Sequence, residues 1–183
     1  KLTYQDYLDI PEEPGYRFEI LDGMLIKEPS PNVMHQRASR RLQRILEDYF
    51  GEVDSEGEIF NAPLDVTPLK YNVVQPDIFY VAGQQQSIVK DTRIDGVPEL
   101  LVEILSPSSR RKDRLQKMEI YRKGGILHYW LVDPEENILE AFMLKDGNYL
   151  LVFTGGPGDK FTHPEFPGLN LNLDKVFYRP DIN

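Results

Sequence analysis

Two short apolar runs, residues 73–81 and 99–105, constrain most tightly what this chain can fold into. Each reads as a strand, and each carries one acid that could turn inward: Asp77 in Gln75-Pro76-Asp77 and Glu103 in Val102-Glu103-Ile104-Leu105. A carboxylate among Val, Ile and Leu is unfavourable unless it is paired or binds a cation. Two such acids brought to about 4 Å would repel by roughly 4 kcal/mol at an effective dielectric of 20. A fold that buries both must therefore supply a counter-ion, and removing either acid is expected to leave the fold intact and even raise its stability. A divalent metal meets that need, and oxygen donors with no thiolate and no nearby His favour Mg²⁺ or Mn²⁺ over zinc. Taken singly, either acid could equally cap a turn or pair with a surface Lys. Their joint placement in the two most strand-like runs, the second leading into a basic segment, points to a shared metal site.

With 183 residues the chain can bury one substantial core, and a single domain over residues 1–183 is expected. Forty per cent hydrophobic residues, including nine Phe and ten Tyr, argue against disorder. No run approaches the roughly 18 apolar residues of a membrane span, and the start Lys1-Leu2-Thr3-Tyr4 has no signal-peptide core. A soluble, cytoplasmic protein with no membrane partner is expected. The absence of Cys excludes disulfides and thiolate zinc sites, while His35, His128 and His163 lack ligand-like spacing. A net charge of −9 argues against a non-specific nucleic-acid coat, because phosphate affinity is drawn from Lys and Arg. Basic residues still gather at 37–44 and 110–123, enough for a local basic cleft.

The pattern predicts a helix over 3–10, then a hairpin of 17–21 and 24–28 about Asp22-Gly23. A helix follows from Ser30-Pro31 to Phe50, with Gly51 as its stop. Strands are expected at 58–60, 64–67, 73–81, 99–105, 127–132, 138–144 and 149–153, and Leu169, Leu171 and Leu173 suggest a last packed strand. Residues 83–97 read as a connection. A helix over 109–123, capped in Ser106-Pro107-Ser108-Ser109, joins two of these strands. This order is mixed α/β (α+β), with a central mixed sheet and at least one parallel crossover. In such sheets, sites form where strand ends meet helix starts. On the crossover helix Asp113, Lys117 and Tyr121 recur every four residues on one face. Such spacing is commonly a solvated pair, but this helix must pack back onto the sheet carrying Glu103, its rotation set by Leu115, Met118, Ile120 and Tyr121. The Lys117 amine is therefore expected within a direct or one-water hydrogen bond of Glu103 or Asp77. Replacing it with Met is expected to slow turnover with little change in folding.

Five ordered blocks then stand out: Arg17-Phe18-Glu19-Ile20-Leu21-Asp22-Gly23, Gln75-Pro76-Asp77, Val102-Glu103-Ile104-Leu105-Ser106-Pro107-Ser108, residues 113–121, and Tyr129-Trp130-Leu131-Val132-Asp133. Together they resemble the Uma-two family of endonucleases, within the restriction-endonuclease-like superfamily marked by Pro-Asp and then Asp/Glu-x-Lys. The resemblance covers nearly the whole chain. It implies a restriction-endonuclease-like central mixed sheet flanked by helices, behind an N-terminal helix and hairpin. It also implies a metal-dependent endonuclease that hydrolyses DNA with a water activated by Mg²⁺ or Mn²⁺. Carried over by residue, Asp77 and Glu103 would be metal ligands, the carbonyl of Ile104 another, and Glu19 an acid for a second metal or its water. The superfamily lysine is replaced by Leu105, and Lys117 is the candidate for its role, with Lys112 a nearer but more exposed alternative. Nucleases of this kind often work as dimers, so a homodimer is implied.

Arg37, Arg41 and Arg44 share a face of the first long helix and are candidate DNA phosphate contacts, or else a solvated face paired with Glu47 and Asp48. His35, near the start of the first long helix, could approach the site but reads first as a structural or surface histidine; Trp130 reads as core, and Ser106 as a turn or cap residue. The vacant motif lysine and the negative charge leave a second reading, a catalytically degenerate module of the same fold that binds nucleic acid or protein.

Overall fold

Asp22 and Gly23, both at positive φ, close the tight turn between β1 (Tyr16–Leu21) and β2 (Met24–Pro29), the geometry an Asp-Gly pair favours. The computed structural model describes residues 1–180. Ahead of the hairpin, α1 spans only Tyr4–Tyr7, where the Asp6 carboxylate accepts from the Thr3 N–H at 2.7 Å. It stops short of Ile10 because Leu8 is exposed and a further turn would bury nothing.

Helix α2 (Val33–Val53) is capped by Asn32 and not by Ser30-Pro31: the Asn32 side chain accepts from the His35 N–H at 2.9 Å. Its inward residues His35, Ala38, Leu42, Leu46 and Phe50 recur every three or four positions and form the stripe that packs on the sheet.

Beyond α2 come β3 (Glu58–Asn61), β4 (Asp65–Val66), β5 (Ile78–Val81), β6 (Arg93–Ile94), β7 (Leu100–Ile104), β8 (His128–Asp133), β9 (Ile138–Lys145) and β10 (Asn148–Gly155). Six of them form the central sheet in the order β10-β9-β8-β7-β5-β3. Only β7 and β8 are parallel, so the sheet is mixed, as expected. Their crossover is α3 (Arg110–Lys112), a π-helical turn (Asp113–Lys117) and α4 (Met118–Gly124), ended by Gly125 at φ 83°. Along β7, Leu100, Val102 and Ile104 face α2 and the C-terminal segment, while Leu101 and Leu105 face the crossover helix.

Two expectations need correction. The run 73–81 is not one strand: Val73 and Val74 bridge to Ile20 and Val66, and only Ile78–Val81 joins the sheet. Pro76 has no N–H to donate to a ladder, so Asp77 sits at the strand's entrance. The last strand is absent among the described residues. Leu169 and Leu171 are buried in irregular chain, and Leu173 opens α5 (Leu173–Phe177), where the Asn172 side chain caps the Lys175 N–H. A capping Asn inside the alternating leucines overrides the period-two pattern. No helix among the described residues is long and apolar enough to cross a membrane.

Trp130, central in β8, is fully buried against Phe161 and Phe166. Trp130→Ala is expected to cost about 3–5 kcal/mol. Urea unfolding followed by far-UV circular dichroism checks this, since Trp130 is the chain's one Trp.

Candidate active site

The pairing of β5 with β7 sets Ile78 against Val102 and Phe79 against Leu101, and one step further along that register brings Asp77 beside Glu103. Glu19 arrives from β1. Its Oε1 accepts from the Gln75 N–H at 2.8 Å and from Lys117 Nζ at 2.8 Å. Lys117 Nζ also donates to Glu103 Oε1 at 2.9 Å, and the Tyr121 hydroxyl donates to the same oxygen at 2.7 Å. Asp113 Oδ1 lies 3.8 Å from the ammonium. Lys117 is fully buried.

The π-helical turn makes this convergence possible. Residues four apart drift by about 40° per step around a regular α-helix of 3.6 residues per turn. One wider turn over Asp113–Lys117 offsets that drift, so Asp113, Lys117 and Tyr121 all face inward. The same rotation turns Leu115 outward, to 57% exposure, against the expectation that it packs on the sheet.

Asp77 is held separately. Its carboxylate accepts from the Ile104 N–H at 2.8 Å and from Arg17 Nη1 at 3.2 Å, and lies 3.1 Å from His35 Nε2. Sequence reasoning missed Arg17, although it stands in the first of the five blocks, and took His35 for structural or surface. The signal for His35 is the Asn32 cap, which places the histidine in the first turn of α2, over the entrance of β5. Lys112 is also further inside than expected, its side chain 12% exposed, paired with Glu28 at 2.6 Å and 3.6 Å from Glu19 Oε2. Arg41 is half-buried, and its Nη1 donates to the carbonyls of Val176 and Tyr178, so it also braces the C-terminal segment. Arg44 stays exposed on α2 and Arg37 half-buried; Glu47 takes a hydrogen bond from Gln43.

Burial opposes ionisation of every acid here, and the neighbours decide the outcome. Glu19 is held below its ordinary value because Lys117, Lys112 and Arg17 outweigh its burial. Asp77 is likewise held at about 2, by its bond to His35 and by Arg17. Glu103 goes the other way, pushed up to about 8 by burial and by Asp113, Asp77 and Glu19, with Lys117 opposing. Lys117 stays protonated, since Glu103, Glu19 and Asp113 outweigh its own burial. The ammonium therefore balances Glu19 chiefly, and Glu103 is the acid that holds an extra proton.

The donor chemistry fits a hard divalent cation. Five buried acids, Glu19, Glu28, Asp77, Glu103 and Asp113, meet three fixed cations, Arg17, Lys112 and Lys117, an excess of two negative charges if all five are ionised and of one while Glu103 keeps its proton. Buried Glu19 Oε2 has no hydrogen-bond partner, and all the acidic donors are oxygens. Among the described residues, no three acids or histidines stand close enough to enclose an ion. Lys117 takes the central position between Glu19 and Glu103, while Asp77 is bonded to Arg17, His35 and Ile104.

Residues 4–174 match the model of the Uma2 family, described as "Putative restriction endonuclease". The chain belongs to that family. It is 25% identical over 179 residues to protein slr1290 of Synechocystis sp., covering 97% of this chain and 92% of that one. A crystal structure from Anabaena variabilis, titled a "putative nuclease belonging to DUF820", superposes with a TM-score of 0.75 at 20% identity, over 97% of this chain and 98% of that chain. That likeness gives the Uma2 chain a nuclease-like fold.

Folded Glu103 keeps its proton to about 8 against an ordinary 4.5, so between those values the folded state binds more protons and stability falls as pH rises. Asp77 has the opposite sign: its contribution is full above 3.8 and is lost as pH falls towards about 2. In EDTA, Glu103→Gln is expected to flatten the fall in Tm between about pH 5 and 8, and to raise Tm by about 2–6 °C at the upper end. Asp77→Ala is expected to lower stability by about 1–3 kcal/mol, because it leaves the half-buried Arg17 guanidinium and the Ile104 N–H without their acceptor. Of the two strand acids, removal is thus expected to stabilise only at Glu103. Thermal melts across pH check both, and an unchanged pH slope in Glu103→Gln would refute this assignment.

Proposed function

We propose that this protein is a Mg²⁺- or Mn²⁺-dependent endonuclease that hydrolyses DNA phosphodiester bonds. The placement of Lys117 carries the reading. With Leu105 at the superfamily's lysine position, an ammonium still reaches the acids from the crossover helix, 2.8 Å from Glu19 and 2.9 Å from Glu103. Asp77, Glu103 and Glu19, with the Ile104 carbonyl, supply the oxygen donors that would hold the ion once the contacts of Lys117 and Arg17 are displaced. When bound, a divalent ion supplies Lewis-acid polarisation of the phosphate and activation of the attacking water. The Lys117 ammonium, kept charged by three acids, offsets charge that develops on the phosphate. Tyr121 and Lys117 fix the orientation of Glu103, as the Gln75 N–H does for Glu19. A cytoplasmic, single-domain protein acting as a homodimer belongs to the same proposal.

One observation favours the alternative, a binding module of the same fold: Asp77 is already bonded to Arg17, His35 and the Ile104 N–H. Cleavage assays on supercoiled and single-stranded DNA with Mg²⁺ or Mn²⁺ decide between the two. Strand scission by the parent is expected, with activity abolished in Glu103→Gln and Asp77→Asn. Lys117→Met is expected to lower turnover by about 10²-fold or more. Because it also strands two buried acids, it is expected to lose about 3–5 kcal/mol of stability, in place of the small change expected from sequence. No scission by the parent on either substrate leaves the binding module.

A further inference from the structure

Glu19, Glu103 and Asp77 are 0%, 1% and 4% exposed, so no phosphate on a flat surface can touch them. Two clefts border residues that hold these acids: one of about 490 Å³ reaches Arg17 and Gln75 but is lined by Glu12 and Glu13, which repel phosphate, and the other, about 200 Å³, carries no acid except Glu28. Pro29, Pro31 and Asn32, at the end of the hairpin and the cap of α2, form one wall, and Ser106, Pro107 and Ser108 at the β7–α3 turn form the other. Its floor is Arg17, His35 and Ile104, the three residues that hold Asp77. Two atoms there are buried without a hydrogen-bond partner, Arg17 Nε and His35 Nδ1, and His35 is only 5% exposed. Unpaired buried polar atoms are unfavourable by about 1–3 kcal/mol each, so this floor is built to receive a polar group.

The volume is below the roughly 300–1,000 Å³ of an ordinary small-molecule pocket. It accommodates one stretch of sugar-phosphate backbone and not two paired strands. A duplex is stiff over tens of base pairs and holds its phosphates on a rigid surface, whereas an unpaired strand can bend to lower one between two proline-bearing walls. Charge agrees with size. Duplex affinity grows with the number of phosphates met by Lys and Arg. On the helix that follows Ser109, Arg110 is committed to Asp133 and Glu135, and Lys112 to Glu28, in a protein of net charge −9. Arg17 is the guanidinium that lines the cleft.

We propose that the cleft takes a single unpaired DNA strand and excludes the intact duplex, with the scissile phosphate drawn down to Arg17 and His35. This substrate class rests on the endonuclease reading above. The natural targets are then single-stranded regions, flaps or splayed ends.

Three fluorescent DNAs of one sequence test it: a single strand, a flapped duplex and a blunt duplex, with binding read by anisotropy in EDTA and cleavage read with Mn²⁺. The single strand and the flap are expected to bind at least about tenfold tighter than the blunt duplex, a difference of about 1.4 kcal/mol. Cleavage is expected only in unpaired segments. Ser108→Trp, on the exposed rim and outside the acid cluster, is expected to weaken single-strand binding by about tenfold with an unchanged Tm. Equal or tighter binding of the duplex, or full single-strand binding by Ser108→Trp, overturns the inference. Single-strand preference without cleavage of any DNA supports this inference and overturns the endonuclease reading. Duplex cleavage at the single-strand rate does the reverse, and no binding to any DNA overturns both.

Discussion

A lysine ammonium fully buried between two carboxylates ties the hairpin, the sheet and the crossover helix to one point. Lys117 Nζ meets Glu19 from β1 and Glu103 from β7, with Asp113 one turn back on its own helix. Burying such charges is favourable only where the hydrogen bonds are nearly complete, and removing one partner strands the others. Each element is therefore held in register by the other two. Gln75 and Tyr121 complete the set, donating to Glu19 and Glu103 respectively. A lysine suits this position because its compact charge can serve two carboxylates along different directions, where a planar guanidinium would favour one.

The second centre, at Asp77, follows from the backbone. Pro76 ends the ladder on one side of Asp77 and β5 begins on the other, so the carboxylate projects at the strand entrance, where it accepts the Ile104 N–H of the neighbouring strand. Arg17 and His35 close over it from the hairpin and from α2. The two centres lie side by side across β5 and β7, one compensated by its cations and the other short of positive charge. Burial and the neighbouring acids lift Glu103, while the bond to His35 and the Arg17 charge keep Asp77 low.

Much of this was legible in the residues. Glu103 in an apolar strand and Asp77 behind a proline follow from burial cost, and helical spacing sets Lys117 near the face of Asp113 and Tyr121, which the π-helical turn then aligns. Glu19 came only from the family resemblance, since an acid in a short hairpin has no local mark of burial. Arg17 was not legible as a site residue, and His35 only as the lesser of two readings: each lies far from Asp77 in sequence, and only the closed fold brings them to it. Leu115 was misread for a different reason. A regular helix places it inward, and hydropathy carries no signal for a π-helical turn. The leucines at 169, 171 and 173 misled similarly, because alternation at period two is also met by irregular chain lying against a sheet.

Leu105 shows why the positive charge moved to a helix. It follows Glu103 by two positions on the same face of the chain, and it is 2% exposed in the apolar layer beneath the crossover helix. A lysine there would carry its charge into that layer at the point where the Leu105 N–H bonds to Val132 and closes the sheet end. With leucine, the layer stays apolar, and the ammonium comes from the opposite side on a helix already bound to pack there. The consequence is a dependence that a strand lysine would not have. A strand residue is aimed by the sheet, whereas Lys117 is aimed by the rotation of its helix, and that rotation is set by the one π-helical turn in which Lys117 itself stands. Helix register and site charge are thereby the same variable.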